Sequence, residues 1–232
     1  MTPRPSRRRS PVMRVSFRTF DSLPGLPGRK GHVARSAQVA EVPRREAIIT
    51  EATRLFAEHG YHAVGMRSIA DAVGIQSSSL YHHFPSKQHL LAAIAAEGNH
   101  AFIAAHVPIL EGDGSPRERL ERVLRAMIIY YWEHRLERQV GLRDSRELAN
   151  TIPDVYEMIQ QDLRRFQRGV ENVLNEGAAA GEFALTDAKL DSRAIIGMCL
   201  SINDWFRPGG SATIERVADH YSALVVDRLL KP

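Results

Sequence analysis

The chain has 232 residues, 44% hydrophobic and 25% charged, a balance that fits one or two soluble globular domains with a sizeable core. Its one cysteine, Cys199, excludes an internal disulfide, and no run approaches the roughly 18 apolar residues of a membrane span. With nothing pointing to secretion, a cytoplasmic protein is expected, with no membrane contact.

The formal net charge of +4 is unevenly spread: residues 1–40 hold nine arginines and lysines against one acid, Asp21. That segment is rich in Pro, Ser and Gly, has little helical period, and is expected to be a disordered basic extension. It reads either as an arm that grips phosphates or as an upstream addition, with Met13 an alternative start. The arginines at 7–9 have no apolar stretch behind them, as an export signal requires.

From Pro43 onward the pattern is helical. Pro43 suits a first helical turn, and Ile48, Ile49, Ala52, Leu55 and Phe56 recur at helical spacing until Gly60. A short helix follows over about 66–73, with Met66, Ile69, Ala70 and Val73 on one face. Gly74 then turns the chain, where a positive φ costs glycine little. A third helix covers about 76–84, and a fourth starts near Ser86. After the linker "GDGSP" (112–116), Ser115, Pro116 and Glu118 make a capping box that opens a helix to about His134. Further helices are expected over about 138–150, 153–180, 187–206 and 212–230. The expected fold is all-α, with about nine helices: a small head over 41–92 and a larger body over 93–232.

The unit 66–84 has the features of a helix-turn-helix, an apolar first helix, a glycine turn and a second helix that offers short polar side chains. Ser77, Ser78 and Ser79 are small donors and acceptors that allow close approach to base edges in a major groove. Tyr81 can place its hydroxyl on a phosphate. Lys87, beside the amides behind Ser86, has the position of a phosphate site at a helix start, and Arg67 can reach the flanking backbone. Leu80 and Phe84 point inward.

The stretch "LFAEHGYHAVGMRSIADAVGIQSSSLYHHFPSKQHLL" (55–91) closely resembles the N-terminal domain of the TetR family of bacterial transcriptional regulators. The resemblance implies a three-helix DNA-binding head, a helical ligand-binding and dimerisation body, and repression relieved by a small molecule. By position it puts Ser77, Ser78, Ser79, Tyr81 and His82 against DNA, and Arg67 and Lys87 on phosphates. Gly65 departs from it, standing where the family usually has a threonine or serine cap.

In the body, "DWFRPGG" and "ERVADHYSALVVDRLL" (204–230), with "LRDSREL" (142–148), are similar to family members that control fatty-acid and steroid catabolism and respond to acyl-CoA thioesters. An acyl chain needs an apolar tunnel, for which Met127, Tyr130, Tyr131, Met158, Phe166 and Trp205 are candidates. The phosphates of CoA need cations, for which Arg143, Arg146, Arg164, Arg165 and Arg168 are candidates. A drug-like hydrophobic ligand is the alternative. The last two helices are expected to form a homodimer, with Ile195, Ile214, Val217, Tyr221 and Leu224 as interface candidates and a palindromic double-stranded operator as the partner.

Two other classes were weighed. The histidines at 59, 62, 82, 83 and 89 look clustered, but adjacent helical positions point about 100° apart, so no metal or other cofactor is expected. The sequence holds no H-E-x-x-H, Gly-rich phosphate loop or nucleophile elbow, so an enzyme is not expected. A helical interaction scaffold without DNA binding is the remaining reading from another class.

Overall fold

The computed structural model describes residues 35–231. The segment 1–34, with most of the expected basic arm, lies outside the described residues, as do the side chains of 35–43, 142 and 143. The regular elements described are all helical: α1 (Arg35–His59), α2 (Met66–Val73), α3 (Ser77–His83), α4 (Lys87–Glu111), α5 (Pro116–Glu133), α6 (Arg135–Arg143), α7 (Ser145–Thr151), α8 (Pro153–Ala179), α9 (Ala188–Leu200), α10 (Ile202–Trp205) and α11 (Ile214–Leu224). α11 widens into a π-helical turn over Val225–Leu229.

Local chemistry accounts for several boundaries. At α5, the Ser115 hydroxyl accepts from the Glu118 amide at 3.3 Å while the Glu118 carboxylate accepts from the Ser115 amide at 2.9 Å, and Pro116 follows at the first helical position. Asp187 caps α9 through the amides of Lys189 and Leu190. Other boundaries differ from expectation. α1 starts at Arg35, ahead of Pro43. The span read as one helix over 138–150 is two, separated at Asp144, whose φ of −104° and ψ of 16° leave the helical region. The span 187–206 likewise divides, into α9 and α10.

Two hydrophobic cores hold the molecule together. The first joins Ile48, Ala52 and Phe56 of α1 to Ile69 of α2, Leu80 of α3 and the N-terminal half of α4 (Leu90, Leu91, Ile94). Body residues close it: Val140 of α6, Leu148 of α7, Ile152 between α7 and α8, and Val155 of α8. The head is therefore not sealed at residue 92, the expected domain limit. The second core packs the C-terminal half of α4 (Phe102, Val107, Leu110) against α5, α8, α9 and α11. Cys199 is buried there, and its thiol is pushed up to about 12 by burial. Buried Arg119 fastens the junction, donating to the Leu110 carbonyl at 2.9 Å and pairing with Glu176 of α8.

Among the described residues, α4 alone has the length and apolarity of a membrane-crossing helix, and 61% of that apolar window is buried inside the protein. Its apolar surface serves the two cores.

Packing is tight where α8 ends. A Cβ added at buried Gly177 would overlap the edge of the Phe183 ring, itself buried. Gly177→Ala is expected to lower stability by about 1–3 kcal/mol, read as an earlier midpoint in urea unfolding with an unchanged slope.

Candidate nucleic-acid interface and ligand cavity

The turn between α2 and α3 is set by Gly74, with φ of 76°, and closed by the Ile75 amide on the Ala70 carbonyl at 2.9 Å. Leu80 is wholly buried and roots α3 in the head core. With that side inward, Ser78, Tyr81 and His82 face out, Tyr81 with half its surface exposed. Ser77 and Ser79 flank them, half-buried. Exposed Arg67 shares a shallow depression with Asp71, Gln76 and Ser77. The helix thus presents four hydroxyl-bearing residues, Ser77, Ser78, Ser79 and Tyr81, and the rings of Tyr81 and His82. Gln76, which the sequence reading passed over, stands at the N-cap of α3 within reach of the same surface.

Lys87 behaves differently from expectation. Its ammonium donates to the carbonyls of Tyr61 and Val64 at 3.0 Å each and of His62 at 3.5 Å, and lies 4.4 Å from the centre of the Tyr61 ring. An ammonium has three donors, and all three are engaged with the loop between α1 and α2. In this structure Lys87 clamps that loop, with its three donors turned to carbonyls. The α4 N-cap is Ser86, whose hydroxyl accepts from the His89 amide at 3.4 Å. Gly65 caps α2 without any side-chain bond, at an ordinary φ of −94°, and a Cβ there would meet only the Ser68 hydroxyl, at 4.0 Å.

The head is seated on the body through polar contacts as well as apolar ones. Arg45 of α1 pairs with Glu97 of α4 and lies 5.1 Å from the centre of the Phe84 ring. Burial raises the Glu97 carboxyl above its usual range in spite of Arg45. α6 packs along α1, with the Gln139 amide donating to the Ala57 carbonyl at 3.5 Å.

The other side of α6 walls a cavity of ≈ 210 Å³ bounded also by α4, α5, α7 and α8. Phe102, Tyr130, Tyr131, Tyr156 and Ile159 belong to its apolar lining. Tyr130 stacks on His134 with centroids 4.1 Å apart, and its hydroxyl donates to the Gly98 carbonyl at 3.4 Å. Burial pushes both tyrosine hydroxyls well above their ordinary pKa. Its polar lining includes Asn99, held by Asp162 at 2.8 Å; the pair His134 and Glu137, 3.9 Å apart; and Arg138. None of these four was singled out from sequence.

The expected ligand residues divide. Tyr130 and Tyr131 line the cavity. Met127 and Phe166 are buried in the body core behind it, and Phe166 meets Phe102 edge-on at 4.8 Å. Met158 packs against the head core. Trp205 is half exposed and outside the cavity, stacked on Tyr221 at 6.3 Å. Among the proposed CoA cations, Arg164 pairs with Glu157 and Arg165 with Glu111, Arg146 and Arg168 are exposed outside the cavity lining, and the Arg143 side chain lies outside the described residues. For the dimer, Ile195, Ile214 and Val217 are buried in the chain's own body core, while Tyr221 and Leu224 are half-buried. The apolar face of a terminal helix has closed the protomer first.

The clamp assignment has a direct check. Lys87→Met is expected to lower stability by about 1–3 kcal/mol, because three carbonyls lose a charged donor, measured by urea unfolding of the purified protein.

Comparison with known proteins agrees with this geometry. Residues 48–94 match the family described as bacterial regulatory proteins, tetR family, and residues 113–229 match the tetracyclin repressor-like C-terminal domain. The HTH-type transcriptional repressor KstR2 of Mycobacterium tuberculosis is 30% identical over 81% of this chain and 94% of its own length. The structure of that ketosteroid transcriptional regulator superimposes with a TM-score of 0.73 at 28% identity, covering 82% of this chain and 95% of that one. AibR, in complex with isovaleryl coenzyme A and operator DNA, superimposes with a TM-score of 0.69 at 26% identity over 79% of this chain and 98% of its own. Head, body and their order along the chain all match, and the chain belongs to the TetR family of bacterial transcriptional regulators.

Proposed function

We propose that the chain is a cytoplasmic repressor that binds a palindromic operator as a homodimer and is released by a small ligand seated between α4, α5, α6, α7 and α8. One observation carries this reading. The helices that close the head core from the body side, α6, α7 and α8, also wall the cavity. A ligand that fits better when α6 and α7 shift would tilt the head and alter the spacing of two recognition helices. The requirement is a difference in ligand affinity between the two states.

The best ligand class is an acyl-CoA thioester of lipid or steroid catabolism. KstR2 is named for ketosteroid regulation, and AibR holds isovaleryl coenzyme A. The cavity volume of ≈ 210 Å³ suits a compact apolar group, since a dry cavity of about 150 Å³ already holds benzene. The acyl part would fill it and the nucleotide part would stay outside. A non-CoA hydrophobic ligand of similar size is the second reading, favoured by the ion pairing of Arg164 and Arg165.

On DNA, Ser77, Ser78 and Ser79 would read base edges, with Tyr81, His82 and Arg67 on or near the backbone. Gln76 joins them as a base reader, because a glutamine amide can pair with adenine in the major groove. For the dimer, Trp205 and Tyr221, stacked and partly exposed, replace the buried Ile195, Ile214 and Val217, and Leu224 stays. Leu224→Glu is expected to shift the protein from dimer to monomer in sedimentation-velocity runs at micromolar concentration.

The central test is fluorescence anisotropy on the intergenic DNA beside the gene, with scrambled DNA as control, followed by acyl-CoAs and the matching free acids. Specific binding reversed by one ligand class is the expected result, and absence of any preferred DNA in a random-sequence selection would overturn it. In the same assay Arg67→Ala should make the log–log salt dependence shallower by about 0.9, one lost phosphate contact. Lys87→Met should leave that slope unchanged.

A further inference from the structure

Arg138 is the one Arg or Lys among the described residues that line the cavity. It is half-buried, and its guanidinium lies 4.7 Å from the centre of the Tyr131 ring. The neighbouring carboxylate does not serve it. Glu137 is drawn instead by His134 and Arg135, which hold its carboxyl below the usual range. The carboxylate whose field reaches Arg138 is Asp204, and among the described residues it forms no ion pair or hydrogen bond with it. Burial accordingly lowers the pKa of the guanidinium. By contrast, Arg45, Arg54, Arg117, Arg119, Arg125, Arg164 and Arg165 each have a carboxylate in contact.

A guanidinium carries five N–H donors in a planar fork and no acceptor. An aromatic face beneath it takes part of its charge but satisfies none of those donors. A cation partly withdrawn from water and unmatched by a carboxylate is stabilised most by an anion with two oxygens, which the fork meets with two parallel bonds. The cavity beside it is otherwise apolar and aromatic on most of its wall, and Leu163 in that wall is 38% exposed.

We propose that Arg138 is the anion anchor of this cavity: the ligand is a compact apolar body whose charged end, a carboxylate or a phosphate, is gripped by the Arg138 fork over Tyr131. The proposal rests on the reading of the cavity as a ligand site and adds the chemistry of the ligand. A free acid would bring a carboxylate inside, and a CoA thioester would bring a phosphate to the opening.

The test uses three probes on the full-length protein, 1-naphthoate, its isosteric uncharged amide 1-naphthamide, and 1-naphthoyl-CoA, followed by isothermal calorimetry. Wild type, Arg138→Gln and Arg138→Lys are compared, with thermal melts to establish that each variant is folded. Wild type is expected to prefer an anionic probe to the amide by about tenfold or more, the range of a charge-assisted bond. Arg138→Gln should abolish that preference with little change in amide affinity, and Arg138→Lys should keep part of it. A preference for naphthoate assigns a carboxylate to the anchor. A preference confined to naphthoyl-CoA and lost in Arg138→Gln assigns a phosphate. If Arg138→Gln weakens all three probes equally, or none, Arg138 only packs on Tyr131 and the proposal is wrong. Failure of every probe to bind wild type overturns the cavity reading and the anchor with it. Binding with the expected Arg138 dependence but no effect on operator DNA would keep the anchor and refute ligand-controlled release.

Discussion

The 25 residues of α4 belong to two hydrophobic cores, and the rest of the molecule is arranged around that division. The N-terminal half packs its apolar side against the helices of the head together with α6, α7 and α8. The C-terminal half is enclosed by α5 and the other body helices. A continuous helix transmits rotation along its length, because its backbone bonds are all internal. The two cores therefore share one rigid element, and the cavity wall and the seat of α3 are joined through it. Ion pairs mark both ends of this arrangement, Arg45 with Glu97 on the head side and Arg119 with Glu176 on the body side.

Much of this was legible in the sequence, for identifiable reasons. α2, α3, α5 and α8 carry their own punctuation in Gly74, in the Ser115–Glu118 box and in Pro153, and their limits follow from it. The break at Asp144 carries none. Residues 138–150 keep a helical period throughout, and only the packing of α6 and α7 onto different neighbours divides them. The outward face of α3 was readable because serines at three successive positions are poor core material wherever they point.

The unread parts of the site share one cause. Periodicity distinguishes inside from outside but not a filled interior from a cavity, so Met127 and Phe166 had the same standing as Tyr130 and Tyr131. It cannot tell a protomer core from a dimer face either, which is why Ile195, Ile214 and Val217 were misplaced. Charged residues are harder still. Lys87 finds three carbonyls from residues more than twenty positions away, and nothing local to it announces them. Arg138 looks like any other charge in "RLERQVGLR". Its distinction is that no carboxylate among the described residues pairs with it, and that is a property of three-dimensional surroundings alone.

Gly65 has a consequence of another kind. Its backbone is ordinary extended chain and open space surrounds its missing Cβ, so the fold does not demand glycine there. The residue leaves α2 without the side-chain hydroxyl that would hold its first amides and withholds an oxygen from the surface beside Arg67. The strength of the head is thus set below what this backbone permits. A serine or threonine at this position would supply both the cap and the oxygen without disturbing either core.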